Sequence, residues 1–135
     1  MANKSKAIGT TFESACVKKF TSKGFDARRL ALGGSDDKGD VELIVNEKTF
    51  CIECKAVKYW ARGHIAEWRR QAVTESVNYS KTYNKVATPV LIVKQYGKSL
   101  NDAFVHMPRY CGGWSMIYLD EFIKDLTRMG EEVGQ

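Results

Sequence analysis

The spacing of hydrophobic residues divides the chain into helical and extended segments. From residue 6 to residue 23, apolar side chains recur every three or four positions, which is the period of one helix face, and the stripe ends at Gly24. The same period returns over residues 65–83. A last amphipathic segment follows Asp120, which is predicted to cap a helix ending near Met129. The pattern therefore predicts three helices.

Extended segments lie between these helices. The strands are predicted over residues 25–32, 40–45, 48–56, 88–93, 103–107 and 115–119. Asn46-Glu47 is a two-residue turn that makes the second and third strands a hairpin, and the uninterrupted apolar run TPVLIV is typical of a strand buried on both faces. The order of elements predicts an α/β fold, with a central mixed β-sheet flanked by helices in a single domain over residues 1–135.

Length and composition agree with one ordinary globular domain. The chain has 135 residues, of which 44% are hydrophobic and 27% charged. No apolar run approaches the ~20 residues of a membrane span, and the N-terminal lysines are followed by polar residues where a signal peptide would be apolar. We therefore expect a cytoplasmic protein without a membrane partner, whose four cysteines are free thiols.

The distribution of charge says more than the net charge of +5. Residues 1–30 and 55–100 are strongly basic, whereas residues 31–54 contain two basic and six acidic side chains. Basic segments attract a polyanion such as DNA. Carboxylates placed between such segments make chemical sense if they bind a cation.

The hairpin carries the candidate chemistry. Because side chains alternate along a strand, Glu53 and Lys55 point to one face, next to Asp40 at the start of the neighbouring strand. Two converging carboxylates repel each other unless a cation such as Mg²⁺ compensates their charge. A lysine beside such a cation can orient water, so the set suits phosphodiester hydrolysis.

These residues resemble a known motif. Asp40 followed by Glu53-Cys54-Lys55 is similar to the PD-(D/E)xK nuclease motif, with Gly39 in place of the proline. The layout of residues 7–95 most resembles the archaeal-type Holliday junction resolvases and their phage relatives, and includes Glu13 in the first helix and Gln71 in WRRQA. Residues 100–130 match no part of that pattern that we can name. The resemblance implies a restriction-endonuclease-like core.

The resemblance also implies roles for single residues. The metal ligands would be Glu13, Asp40, Glu53 and the backbone carbonyl of Cys54, with Mg²⁺ as the cofactor and Mn²⁺ as a substitute. Lys55 would position the water, Gln71 would support the metal shell or the lysine, and Ser35 would cover the scissile phosphate. The residues lining the DNA path would be Arg28, Arg29, Lys38, Lys58, Arg62, Arg69 and Arg70.

Simpler explanations stay open for several of these residues. Asp40 and Ser35 can be turn residues, while Glu13 and Gln71 can be solvent-facing helix residues. Cys51 and Cys54 point to opposite faces of their strand, so we expect small core residues and not a zinc site. His64 and His106 are expected to be structural or to lie near DNA. The aromatic residues are consistent with either a core position or base stacking; they are Tyr59, Trp60 and Trp68.

The sequence thus favours a Mg²⁺-dependent endonuclease that resolves four-way DNA junctions by paired symmetric nicks as a homodimer. One alternative keeps the active site but changes the substrate, giving a nicking, restriction-type or repair endonuclease. Another is a DNA-binding module without catalysis, in which the acidic residues are structural.

Overall fold

Within residues 2–31 and 38–133, which the computed structural model describes, the chain forms three α-helices and a six-stranded sheet. The helices are α1 (Ala2–Ser22), α2 (Arg62–Tyr83) and α3 (Leu119–Val133), and a short 3-10 helix spans Leu100–Asp102. The strands are β1 (Asp26–Arg29), β2 (Val41–Val45), β3 (Lys48–Lys55), β4 (Thr88–Val93), β5 (Phe104–Pro108) and β6 (Trp114–Tyr118). The predicted α/β fold, with a mixed sheet flanked by helices, is confirmed.

The order of strands across the sheet follows their order along the chain. β3 and β4 are parallel and are joined through α2, whereas the other neighbouring strands described are antiparallel. The β2–β3 hairpin pairs Val41 with Ile52 and turns through Asn46, whose φ of 57° is the left-handed conformation that such tight turns require. The predicted hairpin is therefore present.

Both faces of the sheet are covered by helices. On one face, α1 and α3 pack over β2, β3 and β4, and the rings of Phe20 and Phe50 each meet the ring of Phe122 edge-on. On the other face, Trp68 and Ala72 of α2 pack against β4. Because side chains alternate along a strand, those of β3 point in turn to the α1–α3 layer and to the α2 layer.

Some predicted boundaries are wrong. β1 ends at Arg29, and α2 begins at Arg62, three residues before the predicted start. Asp120 is not a cap but lies in the first turn of α3, which begins with the buried Leu119. The amide of Leu119 is held by the carbonyl of Ala103 at 2.9 Å, so the helix start is fixed by a tertiary contact. No helix within the described ranges has the length and apolar character of a membrane span.

Candidate active site

The backbone conformation just before β2 depends on Gly39. Its φ is +95°, and a Cβ on this residue would stand 2.8 Å from Cys51 Sγ and 3.4 Å from Ile52 O. Proline cannot replace it, because the proline ring holds φ near −65°. The amide of Asp40 then donates to Ile52 O at 2.9 Å, although Ile52 pairs with Val41. This one-residue shift, as in a β-bulge, sets Asp40 apart from the regular ladder.

The Asp40 carboxylate lies against β3 and meets the carboxyl group of Glu13. The amide of Cys54 donates to Asp40 Oδ2 at 2.8 Å. Glu13, on α1, shares a hydrogen bond with Asp40 and accepts one from Arg29 at 3.0 Å. Burial raises the pKa of Glu13, as does the negative charge of Asp40, and Arg29 only partly opposes this. Two ionised carboxylates in contact repel each other, so a proton or a cation between Glu13 and Asp40 is favourable.

Glu53 and Lys55 share one face of β3, as predicted. Lys55 Nζ lies 3.7 Å from Glu53 Oε1 and 5.9 Å from the centre of the Trp68 ring. The Glu53 side chain is only 6% exposed, and its Oε2 has no hydrogen-bond partner among the described residues. A buried carboxylate oxygen without a partner is costly, so Glu53 is suited to a ligand that supplies a proton donor or a positive charge.

The predicted metal site is only partly assembled. Within residues 2–31 and 38–133, no group of three or more His, Cys, Asp and Glu side chains is arranged to hold a metal ion. The Glu13–Asp40 pair and the orphaned oxygen of Glu53 nevertheless suit Mg²⁺, which binds through one or two carboxylates together with water and phosphate oxygens. At Cys54 the contact with Asp40 comes from the amide. The proposed ligand role of the Cys54 carbonyl stays a prediction.

Two further predicted residues lack a demonstrated place at this site. The Gln71 side-chain amide donates to Glu75 Oε1 at 2.9 Å on the same helix, so its predicted support of the metal shell or of Lys55 stays a prediction. Ser35 lies outside the described residues, and its predicted role over the scissile phosphate is untested.

Sequence reasoning missed two buried carboxylates. Glu75 lies in the apolar stripe of α2 and is only 2% exposed. An acidic residue in such a stripe is unusual, so the sequence itself contained a sign that this carboxylate is buried. Glu42 of β2 is also buried, where it accepts hydrogen bonds from Arg28 and from the Tyr79 hydroxyl. Burial alone would raise the pKa of Glu42, but these hydrogen bonds and the charge of Arg28 lower it overall.

The thiols behave as the strand pattern predicts. Cys16, Cys51 and Cys54 are buried free thiols and Cys111 is an exposed one. A hydrogen bond with Cys16, followed by burial, raises the pKa of Cys54 well above its ordinary value. The Cys51 thiol donates to the carbonyl of Lys38. The three buried thiols therefore pack as small core residues.

The predicted DNA-binding residues fall into two groups. Arg28 and Arg29 are ion-paired with acidic side chains of the protein, and Arg69 donates to the buried His106 while its guanidinium lies 5.4 Å from the centre of the Trp114 ring. Lys38, which precedes β2 and is also one of the predicted DNA-binding residues, is half-buried. Lys58, Arg62 and Arg70 are exposed, as are the ion-paired Arg28 and Arg29.

The aromatic residues next to this basic set differ in burial. Trp68 is a core residue, because it packs with Ala72 and β4 at 7% exposure. Trp60 is half-buried against the same cluster, whereas Tyr59 is 82% exposed. The choice between core and stacking, which the sequence left open, is thereby settled for Trp68 alone.

The fold is that of the archaeal Holliday junction resolvases. The solved structure that shows this is Hjc of Archaeoglobus fulgidus, a Holliday junction resolvase from a hyperthermophile, with a TM-score of 0.50 and 18% sequence identity. The likeness covers 87% of this chain and 93% of Hjc. No family model and no curated protein matches the sequence. At this identity the likeness establishes the fold alone.

Proposed function

We propose that the protein is a Mg²⁺-dependent endonuclease that hydrolyses phosphodiester bonds in four-way DNA junctions. The observation that carries the proposal is the meeting of Glu13 and Asp40 at the peptide bond that joins Glu53 to Cys54, with Lys55 beside Glu53. These four side chains come from α1, the start of β2 and β3 and form two contacting pairs, Glu13 with Asp40 and Glu53 with Lys55, which are linked through the backbone amide of Cys54. The fold is similar to that of an archaeal junction resolvase.

Each of these residues has a role that its contacts support. Asp40 and Glu13 would hold the cation, which would relieve the repulsion between their carboxylates. Glu53 would offer its orphaned oxygen to the cation or to the attacking water. Lys55 would orient that water, because its ammonium lies beside Glu53. When bound, Mg²⁺ supplies Lewis-acid stabilisation of the charge that develops on the phosphate.

The charge of residues 55–100 favours DNA as the substrate. The net charge of residues 55–100 is +7, from nine basic and two acidic side chains, and Lys58, Arg62 and Arg70 are exposed within it. The described residues form one sheet with its flanking helices, so within this fold we infer that recognition depends on backbone contacts and DNA shape. We further propose a homodimer, because two symmetric sites suit paired nicks across a junction.

The test compares cleavage of a labelled four-way junction with cleavage of matched linear duplex and single strand, with Mg²⁺ and with chelator. We expect paired nicks across the junction that require the metal. Glu53→Gln keeps the shape of the side chain and removes its charge, so it should lower the cleavage rate by roughly 100-fold or more while junction binding persists. Glu121→Gln, at an exposed position on α3, is the matched control and should cut like the wild type.

Each other outcome would change the proposal in a defined way. Equal or faster cutting of linear duplex would reassign the substrate to that of a nicking, restriction-type or repair endonuclease. Tight binding without any cutting would leave a DNA-binding module. Sedimentation that shows only a monomer at the working concentration would contradict the homodimer.

A further inference from the structure

A concavity of about 330 Å³ lies at the carboxyl ends of the parallel strands β3 and β4. Its walls come from the connection that follows each strand, and its lining residues are Lys58, Tyr59, Trp60, Lys94, Gln95 and Tyr96. A larger concavity of about 880 Å³ lies around Lys48 and Thr88, at the opposite end of these strands and away from the candidate active site.

Backbone contacts fix the smaller concavity next to Lys55. The amide of Lys94 donates to the carbonyl of Lys55 at 2.9 Å, and the Tyr96 hydroxyl donates to the carbonyl of Ala56 at 3.1 Å. These two hydrogen bonds join one wall of the concavity to the backbone of Lys55, which is proposed to orient the attacking water, and to the backbone of Ala56. The concavity therefore adjoins the end of β3, the strand that carries Glu53 and Lys55.

The lining combines aromatic rings with ammonium groups. Lys58 Nζ lies 5.5 Å from the centre of the Tyr59 ring, and Lys94 Nζ lies 4.6 Å from the centre of the Tyr96 ring. Aromatic rings stack on any nucleobase, and lysines neutralise the phosphates on either side of it. Packing accounts for Trp60, which is half-buried, but it does not account for Tyr59 at 82% exposure.

We propose that this concavity binds a single unpaired nucleobase of branched DNA, with Tyr59 as a stacking surface and the two lysines on the flanking phosphates. The inference rests on the proposed function and names the feature of the substrate that the site recognises. A volume near 330 Å³ is at the lower end of small-molecule pockets, ~300–1,000 Å³, and suits one base rather than a base pair. Taking a base out of its stack costs least where pairing is already interrupted, as at a branch point.

Binding is measured by fluorescence anisotropy in chelator, on a four-way junction and on intact duplex of the same sequence. Because one stacking contact is lost, Tyr59→Ala should weaken junction binding by roughly 5- to 100-fold, with little change for duplex, and Tyr59→Trp should restore it. Tyr110→Ala is the matched control, since Tyr110 is fully exposed beyond β5, which runs antiparallel to β4 and away from the concavity. Thermal unfolding verifies that each variant is folded.

The position of the base is read by crosslinking. A 5-iodouracil next to the branch point should crosslink on illumination to Tyr59, Trp60 or Tyr96, and the same base in the middle of an arm should not. Crosslinks confined to other residues, or Tyr59→Ala weakening junction and duplex equally or neither, would overturn the inference. If the wild type cuts junctions while these results are negative, only the base pocket fails. If it cuts no DNA, the proposed function fails, and the crosslink still decides whether the pocket exists.

Discussion

Replacing Gly39 with alanine should destabilise the protein by about 2–5 kcal/mol. The left-handed backbone costs an L-residue roughly 1–2 kcal/mol, and crowding of a packed site typically adds about 1–3 kcal/mol. The crowding arises because the new Cβ would lie 2.8 Å from Cys51 Sγ and 3.4 Å from a backbone oxygen. Chemical denaturation gives the free energy of unfolding directly.

Two controls separate backbone strain from crowding. Gly24 has a similar φ of +87°, but no described atom lies within 4 Å of where its Cβ would stand, so Gly24→Ala should cost about 1–2 kcal/mol. Cys51→Ala removes the nearest sulfur, so a double-mutant cycle with Gly39→Ala should show a favourable coupling. The reasoning is refuted if Gly39→Ala costs no more than Gly24→Ala, or if the cycle shows no coupling.

Two further predictions concern buried groups. Burial, together with Arg69, lowers the pKa of His106 to about 4 from 6.5, so the unfolded state binds more protons between these values and stability falls as the pH is lowered through them. Acidification across this window should lower the free energy of unfolding of the wild type by up to about 3 kcal/mol more than that of His106→Gln; equal pH slopes would contradict this. With a thiol reagent, we expect Cys111 to react in the folded protein and the three buried cysteines only after unfolding. Rapid reaction of a second thiol would show that the core is more open than described.

The parts of the fold that the sequence predicted well depend on local patterns. The turn at Asn46 and the alternation along β3 are set by neighbouring residues, so the shared face of Glu53 and Lys55 follows from the order of residues alone. The start of α3 does not, because it depends on the contact between Leu119 and Ala103, which no local rule contains.

The candidate site shows the same division. Asp40 was predicted from its place before a strand, but its partner Glu13 came only from the family resemblance, since no spacing rule links α1 to that point. Lys94 and Tyr96 were missed altogether, because they are ordinary loop residues until the parallel pairing of β3 with β4 brings them beside Lys55. Contacts between distant segments therefore account for what the sequence left out.

The sequential strand order also has a consequence for how the molecule folds. Antiparallel neighbours in this sheet follow one another in the chain, so their pairing closes short loops at low entropic cost. The pairing of β3 with β4 must wait for the whole of α2 to form and dock, and such non-local steps are slow. We therefore expect the segments that carry Asp40 and Glu53 to come together early, with their hairpin. The concavity beside Lys55 is completed only when the crossover closes, so a chain stalled at that step would have its carboxylates in place without the proposed base pocket.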